Sequence, residues 1–281
     1  MNGYLGRDKV WNQQIWSDID KAVQEEVGRI RVAQKVFPST VVNNVLAVSM
    51  KRVGPPGFFL PPLGPTPDVF QPFFEISRMF VLTQAEVDGE ENVHLAIPFA
   101  KSAASVIADA EDRILFLGLA GIPLGVNVTN QLAIPQGFVG FVAEAAYYPP
   151  TPYYGIGDIL TAIADGSARL NARNQPGPYA LFLSSARYAQ TFAQLAIGLL
   201  QTAGDQIPHV VTGGFYMVNG LPNNIGILVS LGGEPTTIIL GTDAITAFTH
   251  TDALGNYHFR VFERIQLAVR DGRAFQTVRV F

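Results

Sequence analysis

The chain has 281 residues, enough for one large domain or two interlocked ones. Apolar residues make up 48% and charged residues only 15%, yet no apolar run is long enough to span a bilayer, so the shortfall of charge points to a surface covered by other copies of the chain. A net charge of −4 without a dense basic block argues against packing nucleic acid by charge, and the absence of cysteine excludes disulfides and thiolate metal sites.

Residues 1–10 lack the apolar core of a secretion signal, so cytoplasmic residence is expected. Residues 12–37 then read as one long helix. Ile15, Ile19, Val23, Val27 and Ile30 recur every three or four positions, and Pro38 stops the pattern. The stripe suits a helix packed on its own domain, with part of it open to a partner peptide. Residues 41–53 change to alternation, as a strand does. They run into a tip of Gly54-Pro55-Pro56-Gly57-Phe58-Phe59-Leu60-Pro61-Pro62, which can be neither helix nor central strand. A second extended stretch over 73–87 returns from it. Two strands with an apolar, proline-stiffened tip make a projecting arm, and Phe58, Phe59 and Leu60 on it need cover from another subunit.

Residues 99–117 predict a second long helix, rich in alanine and interrupted by Glu111-Asp112-Arg113. The stretch up to Pro152 is long for a loop and is expected to hide short strands. Asp158 can cap a helix over 159–172. Gly177-Pro178 feeds a wholly apolar strand at 179–183, and Ser184-Ser185 caps a helix over 186–196. Gly198, Gly204 and Pro208 mark a loop region. Strands are predicted at 225–231, 236–240 and 244–250. A long final strand places Phe259, Val261, Ile265, Leu267 and Val269 on one face. Glu263 interrupts that face and is expected to pair with an arginine.

No catalytic constellation emerges. His94, His209, His250 and His258 fall in no metal-binding spacing, although His250 and His258 flank a turn and can approach one another. Glu111 and Asp112 are adjacent on a helix and point in different directions. Gly155-Ile156-Gly157-Asp158 lacks the third glycine and the preceding strand of a dinucleotide site. Ser184 and Ser185 have no base or oxyanion hole nearby in sequence. The chain reads as a non-enzyme with no metal and no cofactor.

Four segments resemble the encapsulins, shell proteins of bacteria and archaea that include the linocin-type proteins. They are Trp16-Ser17-Asp18-Ile19-Asp20 in the first helix, Ala110-Glu111-Asp112-Arg113-Ile114-Leu115-Phe116-Leu117-Gly118 at the end of the second, the stretch from Gly177 to Tyr188, and a C-terminal set. That set comprises Gly226-Ile227-Leu228-Val229-Ser230, Gly232-Gly233, Ile239-Leu240-Gly241, Asp243 and Phe259-Arg260-Val261-Phe262-Glu263. The resemblance implies an α+β, phage-capsid-like (Hong Kong 97-type) fold. By position, residues 1–40 would be an N-terminal helix facing the lumen, 41–94 an elongated loop, 95–135 and 226–281 a peripheral domain with its spine helix, and 136–225 an axial domain.

It further implies a self-assembling icosahedral compartment of many identical copies, enclosing a cargo enzyme of ferritin-like or peroxidase type through a short targeting peptide. Carried over residue by residue, the peptide groove would comprise Val23, Val27, Ile30 and Arg31 on the helix and Ile238, Leu240, Asp243 and Ile245 on the sheet. Ile197, Gly198 and Leu199 would approach a fivefold pore. Where members carry a glycine and two basic residues after the first helix, this chain has Ala33-Gln34-Lys35. Some members stack a flavin on a tryptophan of the elongated loop. The matching place here is near Ala85, far from Trp11 and Trp16, so no flavin is expected. The alternatives are the major capsid protein of a tailed phage or prophage, and a soluble hydrolase with an unrecognised site.

Overall fold

A computed structural model describes residues 5–42, 47–50, 69–129, 140–193 and 201–280. The first long helix, α1 (Gln13–Ile30), begins where the Asn12 side chain accepts the backbone N–H of Ile15 at 3.0 Å. Its stripe buries Trp16, Ile19, Val23 and Val27, while Ile15 and Ile30 stay half-buried. The helix expected to continue to Phe37 breaks at Arg31, and a single turn, α2 (Ala33–Val36), follows. The break has a physical cause. Arg31 leaves the helix to reach buried carboxylates, and the Asp112 carboxylate takes the backbone N–H groups of Val32 and Ala33.

Within the strand expected over 41–53, the described residues give the end of β1 (Ser39–Val41) and β2 (Ala47–Met50). β2 pairs with β3 (Val69–Pro72) as a two-stranded ribbon. The arm tip with Phe58, Phe59 and Leu60 lies outside the described residues. The returning strand, β4 (Phe74–Leu82), is shorter than expected, because Thr83 and Glu86 form a capping box that starts α3 (Gln84–Asp88). Next come α4 (Glu90–Val93) and the long α5 (Ala96–Leu117). The expected short strand beyond it is β5 (Asn127–Thr129), and α6 (Phe141–Ala146) and β6 (Tyr153–Tyr154) precede α7 (Ile159–Ala172). Asp158 stands at the start of α7 but makes no side-chain cap bond.

β7 (Tyr179–Ser184) is buried on both faces as its composition demands. Ser184 caps α8 (Ser185–Thr191) by accepting the N–H of Arg187 at 3.4 Å. The expected loop around Gly204 and Pro208 is helix α9 (Ala203–Val210), because a Thr202–Asp205 capping box outweighs both helix breakers. Ile197, Gly198 and Leu199 lie outside the described residues. β8 (Gly214–Val218) and β9 (Ile225–Ser230) follow. The two strands expected over 236–250 are one, β10 (Thr236–Thr251), with register shifts between Leu240 and Ile245. β11 (Tyr257–Val269) and β12 (Phe275–Val280) end the described chain.

Two five-stranded sheets result. The first has the order β1-β10-β11-β4-β5 and the second β6-β12-β9-β7-β8. The segment 226–281, drawn as one unit from the sequence, therefore contributes strands to both. The helices α1 and α5 pack on the first sheet, and α7 packs on β9 and β12 of the second. The two sheets share a core at the end of α5. The Phe116 ring meets Phe182 at 4.9 Å and Phe141 at 5.2 Å, and Phe141 stacks on Phe275 at 5.1 Å.

Candidate functional site

The seam between α1 and β10 is built around a strand edge that runs out of partners. β1 pairs with β10 in parallel from Ile238 to Leu240, and Val42 donates to the Leu240 carbonyl at 2.8 Å. Beyond Leu240 that edge has no strand beside it among the described residues, and an uncovered edge invites another chain. Side chains cover it instead. The N–H of Thr246 donates to Asp20 at 3.0 Å, and Arg7 donates to the Thr246 carbonyl through Nε at 3.0 Å and Nη2 at 2.6 Å. Gln24 donates to the Ala244 carbonyl, and the Ala244 N–H turns back to Asp243 at 2.7 Å.

Asp20 and Gln24 are four residues apart, so they lie one above the other on a flank of α1. The next position on that flank is Gly28. It has no side chain, and a Cβ built there would meet nothing within 4 Å. The side-chain cover from α1 thus ends at Gln24, whose partner Ala244 follows Asp243 in β10.

At the C-terminal end of α1 lies a buried ionic cluster. The Arg31 guanidinium pairs through Nε with Glu111, through Nη2 with Glu263, and through Nη1 with Asp243 at 3.0 Å. Gln34 donates to Glu111 at 2.8 Å. Asp112 accepts from Val32 N–H at 2.8 Å and Ala33 N–H at 2.9 Å. Arg31, Glu111 and Glu263 are sealed from solvent, whereas the Asp243 side chain is 38% exposed. One cation thus faces four carboxylates. Burial pushes the Glu111 carboxyl up against the opposing pull of Arg31. Burial and the neighbouring Glu111 charge push Asp112 up to about 7.

The eight groove candidates divide by burial. Val23, Val27, Ile238 and Leu240 are at most 3% exposed and have no surface to offer a partner. Arg31 is sealed in the cluster. Ile30, Asp243 and Ile245 are partly exposed. Sequence reasoning missed Asp20, Gln24 and Gly28, although a polar i, i+4 series beside an apolar stripe is a legible signal of a covering flank.

Elsewhere the expected approach of two histidines occurs. The rings of His250 and His258 stack at 4.4 Å, and His258 Nε2 lies 3.2 Å from Asp252. Among the described residues no group of three such side chains is placed to hold a metal ion. Ser184 is 1% exposed, with its hydroxyl engaged as a cap. Glu263 pairs with an arginine, as its place on an apolar strand face requires. No helix among the described residues is long and apolar enough to cross a membrane. The seam holds the edge backbone of β10 through side chains of Arg7, Asp20 and Gln24.

Residues 2–266 match the Linocin_M18 family, described as encapsulating protein for peroxidase. The type 1 encapsulin shell protein EncA of Myxococcus xanthus (strain DK1622) is 27% identical over 208 residues, which cover 72% of this chain and 67% of that protein. The crystal structure of a virus-like particle from Pyrococcus furiosus is similar with a TM-score of 0.65 at 13% identity, covering 94% of this chain and 98% of that one. The capsid of Myoviridae phage XM1 is similar with a TM-score of 0.55 at 11% identity, covering 90% and 92%. At these identities the structures establish the fold, which is the phage-capsid-like α+β fold.

Proposed function

The chain belongs to the encapsulin shell-protein family, whose model spans residues 2–266, and from that membership we propose that it assembles into a closed icosahedral shell enclosing a cargo enzyme held by a short targeting peptide. The observation that carries the cargo reading is the gap at Gly28. An extended segment can lie there against bare helix, beside the half-exposed Ile30 and Ile245 and the Asp243 carboxylate. The cargo class that the family description supports is a peroxidase, with ferritin-like enzymes the alternative that the resemblance implies. Each contact is small, but many copies facing one lumen act together, so a weak site suffices to retain cargo. Assembly itself needs no catalysis: apolar area buried at several interfaces per subunit, multiplied by symmetry, closes the shell.

The test is size-exclusion chromatography and negative-stain microscopy of the chain purified from its native host, with the particle contents identified by mass spectrometry. Closed particles containing an enzyme are expected, together with closed but empty particles from Gly28→Trp, which fills the slot from a solvent-facing position. A monomer or dimer would overturn the shell. Full loading in Gly28→Trp would move the docking site elsewhere. Particles filled with nucleic acid would identify a phage or prophage capsid protein of the same fold.

A further inference from the structure

The joint between α1 and α2 depends on a side chain from a third helix. Arg31 leaves α1 with φ −50° and ψ 128°, and the turn presents the N–H groups of Val32 and Ala33 side by side. Both donate to Asp112 of α5, one to each carboxylate oxygen, at 2.8 and 2.9 Å. α2 has no side-chain cap of its own, so Asp112 does from α5 what a cap residue does from within the chain.

The charged groups around Asp112 come from every element packed there. Arg31 of the joint is taken by Glu111 of α5, Asp243 of β10 and Glu263 of β11. Lys35 of α2 donates to the Arg29 carbonyl at 2.9 Å, and Arg113 turns to Asp109 at 2.6 Å. Among the described residues no ion pair reaches Asp112; Arg31 pulls on it only from a distance, and Glu111 sits next to it.

We propose that this joint is a proton-operated clasp. Ionised Asp112 holds both N–H groups. Protonation turns one of its oxygens into a hydroxyl donor facing an N–H donor, so one N–H is released and α2 loosens against α5 while Asp112 itself stays buried; the preference of the whole fold for the protonated acid, measured against the unfolded chain, is a separate balance. The direction of the Asp112 shift, driven by burial and then by Glu111, places this exchange near neutral pH. Ile30 and Asp243 border the same joint, so loosening also relaxes the slot at Gly28; that consequence, unlike the clasp, rests on the docking reading.

The experiment is amide hydrogen exchange by mass spectrometry on the purified full chain with no peptide added. It is run between about pH 6 and about pH 8, with rates corrected for intrinsic chemistry. Protection of residues 31–37 is expected to fall by up to about tenfold toward the acid end, following the ionised fraction of one carboxyl. Asp112→Asn, which has one acceptor at every pH, should abolish the dependence. Glu111→Gln should move its midpoint to lower pH, an effect that a purely structural role would not produce. If Asp112→Asn does not fold, the wild-type profile and Glu111→Gln decide. Flat protection in the wild type, an unaltered dependence in Asp112→Asn, or an unmoved midpoint in Glu111→Gln would overturn the clasp. None of these readouts involves cargo, so they stand or fall separately from the loading of Gly28→Trp particles.

Discussion

Arg31 Nη1 lies 3.0 Å from Asp243 Oδ1, and this contact joins the sealed ionic cluster to the surface of the seam. The same guanidinium neutralises Glu111 and Glu263, both fully enclosed. Replacing Arg31 by Met removes the single cation and leaves Glu263 buried without its ion-pair partner and Glu111 with Gln34 alone, which costs about 3–5 kcal/mol. Calorimetry of the purified particles should show a large fall in melting temperature. Arg31→Lys should recover little, because a single ammonium nitrogen cannot span the separate carboxylates that Nε, Nη1 and Nη2 of the guanidinium reach. A melting temperature unchanged by Arg31→Met would mean that the cluster does not hold the seam.

Asp112 sets a pH dependence of the opposite sense to the usual acidic residue. Its folded value of about 7 lies above the ordinary 3.8, so the folded chain binds this proton more tightly than the unfolded one. The associated stability is complete below about pH 4 and is lost as pH rises through about 7. Asp112→Asn resembles the protonated acid. It should therefore raise the melting temperature at about pH 8 and change it little at about pH 5. Equal effects at the two pH values would place the wild-type proton elsewhere in the cluster.

Much of this architecture is legible in the sequence, and the limits have physical causes. The stripe of α1 and the alternation of β11 follow from period alone, and so does the need of Glu263 for a basic partner. The identity of that partner does not: Arg31 is 232 positions away, and only the tertiary fold brings them together. Helix α9 is masked by Gly204 and Pro208, since a cap two residues upstream of a breaker is a weaker local signal than the breaker itself. The burial of the helix candidates is a matter of tertiary packing. Apolar helix positions are buried by the chain's own sheet, so Val23 and Val27 vanish into the core. The accessible flank is the polar series of Asp20, Gln24 and Gly28 beside them. The division of residues 226–281 between two sheets is invisible locally, because a strand's periodicity says nothing about its neighbour.

The hairpin of β10 and β11 is closed by Asp252. Its carboxylate accepts from Leu254 N–H at 2.9 Å, Asn256 N–H at 2.8 Å, Asn256 Nδ2 at 3.0 Å and His258 Nε2 at 3.2 Å. The donors from Asn256 contribute most and hold the carboxyl well below its ordinary range. A depressed value means that the stabilisation is present above about pH 4 and fades as pH falls. Asp252→Ala should therefore increase hydrogen exchange over residues 250–258 at neutral pH, with the rest of the first sheet unchanged. Unaltered exchange would show that the His250–His258 stack and strand pairing close the hairpin unaided.

Gly28 separates the requirement for stability from the requirement for docking. It lies inside α1, where glycine is about 1 kcal/mol worse than alanine, and its surroundings give no packing reason for it. Gly28→Ala should therefore stabilise the chain by about that amount, since the added methyl meets open space. The gain should appear as a higher melting temperature in empty and loaded particles alike. If the slot receives a peptide, Gly28→Ala should also weaken cargo retention in part, and Gly28→Trp should abolish it without unfolding the shell. A rise in stability with unchanged loading in both variants would leave Gly28 with no role in binding. A fall in stability with Gly28→Ala would mean that a neighbouring subunit packs against this turn of α1 in the assembled shell.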